Sequence, residues 1–392
     1  MDKPVPYPFL DLAAYAERAG LAQEVVHPSA RVEMDAPVSL PEGQPDFYDL
    51  SPAAYDFPAV TRTTLREVTV RSLSNLLTTQ DAIVRHELMD IARERPPEEA
   101  RGAFATAQGG RLAAWSPDRP PKQVHEVDEA AVFTDGAAPN YAHWLTEVLP
   151  RVAAFVDADG KAPAPIVIDQ LVHPNIRRSL DLIAPEARVY RVAPDHAVRV
   201  ARMHQVSVAG YVPFKLRPQP VEAICHGLFG PGALRNAVGR LRRAVNPPAS
   251  DRPKLFVRRT GQIRRLLNEP EIEAAFVARG FTAIEPETLR LEEQVALFSR
   301  ARMVAGATGA GLINLAFCQP DCPVIVMMPR FRHTAYWYWR RVSAAAGAGP
   351  VVHVSGRQAA TLDDPFDSMA LQQDYRVELK DVLDGLDRAT AL

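Results

Sequence analysis

At 392 residues the chain is longer than one ordinary hydrophobic core serves, so two domains are expected. Apolar residues make up 47% and charged residues 23%, the balance of a soluble globular protein, and a formal net charge of −2 argues against a general nucleic-acid binder. Basic residues are nearly all arginine, and Cys225, Cys318 and Cys322 form no CxxC pair, which fits reduced thiols in a cytoplasmic protein better than a disulfide framework or a zinc site.

The amino terminus, MDKPVPYPFL, lacks the apolar core of a signal peptide and reads as a mature cytoplasmic start. Residues 1 to about 120 are rich in proline and acidic residues; LDLAAYAERAGLA reads as a helix and the alternating TTLREVTVRSL as a strand. HELMD, residues 86–90, opens like an HExxH zinc-peptidase helix, but Asp90 stands in its fifth place and the motif fails. From about 124 the text alternates: a strand through AAVFTDG, the helix NYAHWLTEVLPR, a strand at PIVID, a helix at PNIRRSLDLIA, and strands in ARVYRVA and ARMHQVSVA. This is the rhythm of an open α/β sheet. Helical text from about 218 to 245 ends in NPPASDRPK, the expected linker.

A second α/β series follows, with strands at KLFVRR, FTAIEP, ARMVAGA, PVIVMMP and VVHVS and helices at EPEIEAAFVARG, LEEQVALFSRA, GAGLINLAF and TAYWYWRRVSAAA. Within it, Met303 to Pro320 is uncharged and as long as a membrane span, yet glycines, Asn314, Gln319 and Pro320 interrupt it, so it reads as buried strand, turn and helix. The expected organisation is an amino-terminal extension (1–120) packing on a first α/β domain (121–248), then a second α/β domain (249–392) with a carboxyl-terminal tail.

Three stretches carry chemistry. In NYAHWLTEVLPR, Asn140, His143, Glu147 and Arg151 recur at steps of three, four and four, which sets them on one side of a helix whose other side holds Tyr141, Trp144, Leu145, Val148, Leu149 and Val152. A merely solvated face is the plain alternative, but an imidazole, a carboxylate, an amide and a guanidinium together can transfer a proton and bind an anion. Pro150 cannot donate back to Thr146, so the helix is expected to kink or restart there and the stripe to end near Glu147.

The second stretch, ARMVAGATGAGLIN, runs a strand into Gly306, Gly309 and Gly311 before a helix, so that backbone N–H groups can converge on one anion. Its spacing is neither GxGxxG nor GxxxxGK, and a tight turn that needs glycine explains it equally well. The third delivers Arg258, Arg259, Arg264 and Arg265 at and just beyond the end of a strand, where an open sheet places its ligand crevice; a pyrophosphate suits both turns. Asn268 and Glu271 have capping-box spacing. The DxD of Asp157 and Asp159 sits where a helix ends before Gly160, and reads as a solvated turn rather than a metal site.

These blocks, with NYAHWLTEVLPR followed by LFVRRTGQIRRLLNEPEIEAAFVARGF and LEEQVALFSRARMVAGATGAGLINLAFCQPDCPVIVMMP, resemble the successive blocks of glycosyltransferase family 61 over about 140–330. The resemblance implies a GT-B-like α/β fold of two Rossmann-like domains facing across a cleft, the first on the acceptor side and the second on the nucleotide-sugar side. It also implies inverting, metal-independent transfer of a hexosyl or pentosyl group. The family's first-block residues fall on Asn140, His143, Glu147 and Arg151, its arginines on Arg258, Arg259, Arg264 and Arg265, its NE pair on Asn268 and Glu269, and its EQ pair on Glu293 and Gln294. Its GxHGAGLxN block falls on Gly306, Thr308, Gly309, Ala310, Gly311 and Asn314, with Thr308 in place of the histidine.

The expected function is transfer from a nucleotide-sugar donor to a hydroxyl of a glycan or glycolipid acceptor in bacterial cell-surface (capsule-type) polysaccharide synthesis. The enzyme is expected in the cytoplasm, with room for peripheral association at the inner face of the membrane, and to use no cofactor, metal or nucleic acid. Glu147 is the expected base, with His143 orienting it or sharing the proton, and the choice between the two is close. The four arginines, Thr308, Gly309, Ala310 and Gly311 are expected at the donor diphosphate, supported by Asn140, Arg151, Asn268, Glu269, Glu293, Gln294 and Asn314. A rival reading, a catalytically impaired nucleotide-sugar or glycan-binding protein of the same fold, rests on Thr308; a nicotinamide dehydrogenase is weaker, because no early GxGxxG is followed by the expected acid.

Overall fold

The structure, a computed structural model, describes residues 7–42, 53–102, 104–107, 112–115, 120–219, 227–248, 251–330, 336–359 and 372–392. The described residues divide into two compact units, one drawn from Met1–Ala30, Pro58–Pro218 and Gly232–Ala237, the other from Arg31–Phe57, Gln219–Pro231 and Val238–Leu392. Cys225 and the expected helical text at 220–226 lie outside the described residues.

In the first unit four parallel strands lie in the spatial order Val189–Val192, Ile166–Asp169, Val124–Val132, Ala197–Val206. The chain therefore steps outward from Val124–Val132 twice and then returns to its other side, which creates a topological switch point beyond Val132 and Val206. Val60–Arg71 pairs antiparallel with Ala197–Val206, and Leu77–Thr78, Ile83–Arg85 and Tyr7–Asp11 continue the same sheet. The amino-terminal segment is thus not an extension laid on a domain; much of it is sheet. The reason is its alternation, which sets Leu65, Val68 and Val70 in one core with Ala130, Val132, Val198 and Val200. Glu67, at φ 50°, interrupts the alternation between Leu65 and Val68, while the register against Ala197–Val206 is the same on both sides of it.

In the second unit the parallel strands lie in the order Phe281–Ile284, Lys254–Val257, Met303–Ala307, Val324–Pro329, Val351–Gln358. This sheet too reverses direction, between Lys254–Val257 and Met303–Ala307, whose carboxyl ends carry the arginines and the glycine-rich turn. Its core includes Phe256, Phe276 and Phe281, with ring centroids 5.3 and 4.7 Å apart in sequence. Residues 31–57, expected with the amino-terminal extension, belong to this unit: Val38–Leu40 pairs parallel with Val351–Gln358, and Leu40 joins the core of Val352, Val354 and Leu386. The boundary expected at 248 is also displaced, because most of the helix Pro231–Val245 groups with the second unit. No helix among the described residues is long and apolar enough to cross a membrane, and Met303–Pro320 resolves into a strand and a 3-10 helix, Ala310–Phe317.

Asp169, at the end of its strand and 1% exposed, ties down the first switch point. Its carboxylate accepts from Ser72 Oγ at 2.9 Å, Leu73 N at 2.6 Å and Asp135 N at 2.9 Å, although burial raises its pKa to about 6. Asp169→Ala strands two buried N–H groups, so a loss of about 2–4 kcal/mol is expected in urea unfolding; a loss under ~1 kcal/mol would show that these bonds do not hold the loops.

Candidate active site

The helix opening at Asn140 is reshaped ahead of Pro150. Asn140 caps it, its Oδ1 accepting from Ala142 N at 2.9 Å, and Tyr141–His143 leads into a π-helical turn, Trp144–Val148, before α geometry resumes over Leu149–Phe155. Proline has no N–H to give Thr146, so widening the turn here sacrifices no bond at that position. The stripe consequently does not end at Glu147. Glu147 and Arg151 are 6% and 7% exposed, and Trp144, Leu145, Val148, Leu149 and Val152 are fully enclosed, so both sides of the helix are buried.

His143 Nδ1 lies 2.6 Å from Glu147 Oε1, and Glu147 Oε2 accepts from Val212 N at 3.2 Å. Burial raises the Glu147 pKa, partly opposed by His143; burial alone would lower His143, but Glu147 outweighs it and His143 is raised as well. Arg151 donates to the carbonyls of Val206 at 3.2 Å and Val132 at 3.3 Å, the last residues of the two strands that flank the switch point. Its guanidinium also lies over the Phe133 ring, 5.5 Å from the centroid. Arg151 therefore braces the site and does not present an unengaged charge to an anion.

Glu147 and Arg151 border a small pocket of about 20 Å³, room for about one water molecule, with Asp135, Gln205, Ser207 and Tyr211 among its other walls. All of these residues belong to the first unit. The residues that the sequence left unmarked here, Asp135, Gln205 and Ser207, follow or end the two switch-point strands, so the strand-end rule applied to this sheet was the signal that could have found them.

In the second unit the four arginines separate into two kinds. Arg258 is clamped by Glu273 at 2.7 and 2.5 Å and by Glu285 at 3.1 Å, and Arg265 by Asp374 at 2.9 and 2.6 Å. Arg259 and Arg264 have no carboxylate ion pair among the described residues. Arg259 spans the second switch point: its Nη1 donates to the Thr308 carbonyl at 2.9 Å, while Nε and Nη2 reach the Ile263 carbonyl at 3.2 and 2.8 Å. A Cβ on Gly309 would overlap Arg259 Nη1, and one on Gly306 would lie 2.9 Å from the Val257 carbonyl, so these glycines admit a guanidinium and a neighbouring strand. Arg264 sits at φ 57°, and burial and then the Arg259 charge lower its pKa, which places the two cations close together.

The supporting residues are mainly structural. Thr308 is 4% exposed and its hydroxyl accepts from Trp339 Nε1 at 3.1 Å. Asn314, fully enclosed, donates to Gln294 Oε1 at 2.7 Å and to the Gly311 carbonyl at 3.0 Å, and Gln294 donates to Pro286 and Leu289 carbonyls at 2.7 and 3.0 Å. Glu293 caps its helix by accepting from Arg290 N at 2.8 Å. Glu269, raised to about 6 by burial, accepts from Arg259 N at 3.1 Å. The expected capping box at Asn268 does not form: its side-chain oxygen accepts from Val377 N at 3.3 Å and not from its own helix, while its amide nitrogen donates to the Val377 carbonyl at 2.9 Å and to Glu271 Oε2 at 3.2 Å. The segment after Gly309 is a 3-10 helix rather than an α-helix, and its first N–H groups have no partner within the helix.

Asp157, of the DxD, accepts from Asp159 N at 3.0 Å and Lys161 N at 2.8 Å, an ordinary turn. Cys318 and Cys322 are free and buried. Among the described residues no group of three or more His, Cys, Asp or Glu side chains is placed to hold a metal ion.

Comparison with curated proteins gives no match. Residues 141–325, from the helix of His143 and Glu147 to the strand after the glycine-rich turn, match the family model Glycosyltransferase 61, and that match places this segment of the chain in glycosyltransferase family 61.

Proposed function

We propose that the chain is an inverting glycosyltransferase of the GT-B plan, which takes a hexosyl or pentosyl group from a nucleotide sugar and places it on a hydroxyl of a glycan or glycolipid. The observation that carries the reading is the buried Glu147 carboxylate, paired with the half-buried His143, on the wall of a small pocket at a strand-end switch point, within the segment that matches the family. In this reading the acceptor oxygen attacks the anomeric carbon while Glu147 takes its proton, with His143 orienting the carboxylate or sharing the proton. The bond from that carbon to the diphosphate oxygen breaks, and its electron pair leaves with the nucleoside diphosphate.

The departing charge then needs a cation or dipole. Arg259, Arg264 and the N–H groups following Gly309 supply it in this proposal, whereas Arg258 and Arg265 are held by their own carboxylates and shape the turn. Metal-independent chemistry, a product in capsule-type cell-surface polysaccharide, and work in the cytoplasm at the inner face of the membrane are the parts of the proposal drawn from the family. A second reading, a donor- or glycan-binding protein without turnover, is favoured by Thr308, whose neutral side chain stands in the family's histidine position and is already engaged by Trp339.

Donor-hydrolysis and transfer assays beside calorimetry with nucleoside diphosphates separate the two, because binding without turnover supports the second. Glu147→Gln is expected to lower kcat by roughly 10²- to 10⁴-fold with nucleoside-diphosphate affinity nearly kept; full activity removes Glu147 from the chemistry. Since Glu147 and His143 are both raised, the acid limb of the rate profile should lie above the ordinary glutamate value of 4.5, with activity lost as pH falls through it; a limb at or below that value contradicts a buried base. Arg259→Ala should weaken nucleoside-diphosphate binding roughly 10- to 100-fold and Arg265→Ala far less, so equal effects would count against the division of the arginines.

A further inference from the structure

Glu147 Oε2 accepts its backbone hydrogen bond from Val212 N, so the placement of residues 210–217 decides how that carboxylate is held. Those residues are tied to 90–99, within the same unit, at three places. Lys215 and Leu216 pair antiparallel with Arg95 and Glu94, and Arg217 N donates to the Arg93 carbonyl at 2.8 Å. The Arg217 guanidinium donates to the Ile91 and Glu94 carbonyls, each at 3.0 Å, and to both Glu99 oxygens at 2.6 Å. The third tie is the one beside Val212. There the Tyr211 hydroxyl donates to Glu94 Oε2, while Glu94 Oε1 accepts from Asp90 N at 2.8 Å.

Fastening a loop does not call for this third tie, because the strand pair and Arg217 already do so. It is also costly: Glu94 is 3% exposed, and burial raises its pKa to about 7 against the opposing bonds from Tyr211 and Asp90. What the carboxyl group adds is direction. The Tyr211 ring is held edge-on against His86, with centroids 4.3 Å apart, and its hydroxyl is held by Glu94. A side chain fixed at ring and tip fixes the peptide that follows it, and that peptide carries the Val212 N–H.

We propose that Glu94 and Tyr211 are positioning residues for Glu147: Glu94 fixes Tyr211, and Tyr211 sets the Val212 N–H on Glu147 Oε2, which keeps Oε1 turned to His143. Residues 90–99 lie outside the segment that matches the family, so the match assigns them no role. The proposal rests on the glycosyltransferase reading for making Glu147 the base, and on the chain of hydrogen bonds for the rest.

Two effects of opposite sign make it testable. The Val212 bond favours ionised Glu147, so losing it raises the Glu147 pKa, whereas removing a nearby negative charge at Glu94 lowers it. His143, Asp135, Arg151, Arg85, His86 and Tyr211 are the titratable or charged groups around Glu147, and Tyr211→Phe alters the last alone. The test uses the full chain with carboxyl-¹³C glutamate, the Glu147 signal being assigned by its loss in Glu147→Gln. Tyr211→Phe is expected to raise the Glu147 titration by about half a unit to one unit and to quicken hydrogen exchange at the Val212 amide about threefold or more. Glu94→Gln, whose amide still bonds the Tyr211 hydroxyl, is expected to keep that exchange within about twofold and to leave the Glu147 titration level or lower. In transfer assays Tyr211→Phe should lower kcat roughly 3- to 10-fold with KM kept, the acid limb moving up with the Glu147 titration.

A Glu147 titration and a Val212 exchange rate unmoved in folded Tyr211→Phe overturn the proposal, as does an equal upward shift in Glu94→Gln. Glu94→Leu provides a second route should Tyr211→Phe not fold, since it removes the same bond while relieving a buried carboxyl; unchanged Val212 exchange there is equally fatal. A raised Glu147 titration without turnover in any variant keeps the positioning of the carboxylate and removes the transferase. Turnover with Glu147 unmoved by Tyr211→Phe keeps the transferase and removes the positioning.

Discussion

The arrangement of the first unit depends on where one guanidinium is lodged. Arg151 binds the last carbonyls of two adjacent parallel strands, Val132 and Val206, at the place where the sheet reverses direction. A charge enclosed this far from water persists only with donors and counter-charges satisfied, and burial lowers its pKa against the opposing pull of Asp135 and Glu87. Filling the fork in this way leaves the strand ends parted and sets the Glu147 carboxylate on the wall of the space beyond them. Asp169 secures the surrounding loops from the neighbouring strand, so a buried cation and a buried anion together define the opening.

The second unit solves the same problem with the opposite economy of side chains. At its reversal the space between strand ends is bridged by Arg259, which the bare backbone of Gly309 admits. The glycine-rich run is thus explained by a close approach of a side chain from the neighbouring strand's end, which accounts for its departure from the dinucleotide and phosphate-loop spacings. Around it Asn314 and Gln294 lock the following turn onto the helix Leu291–Arg300, so the residues of the third sequence block serve mainly to hold this turn in shape.

Much of this was legible in the residues because it is local. Strand and helix periods in both halves and the strand-end arginines depend on neighbours a few positions away. What was not legible depends on distant partners. Nothing near Arg258 or Arg265 says that Glu273, Glu285 and Asp374 will clamp them while Arg259 is left for the turn. The side-chain oxygen of Asn268 accepts from a backbone 109 residues away, which leaves it no part in capping its own helix. His86 was visible only as part of a failed zinc motif, and Pro150, rightly taken as a disruption, gave no hint that a π turn would bury both faces of its helix.

The strand Val38–Leu40 has a consequence for biogenesis. Its only parallel partner among the described residues, Val351–Gln358, is translated more than three hundred residues later, and Ser355 and Arg388 then bond to Leu40 and Glu42. At ~5–20 residues per second, the interval on the ribosome is roughly 15–60 s, during which the residues around it are already building the other unit's sheet. A short apolar strand must wait unpaired through most of synthesis, so the emerging chain carries an exposed edge for which chaperones are the natural guardians, and no contiguous carboxyl-terminal fragment can replace what that strand supplies.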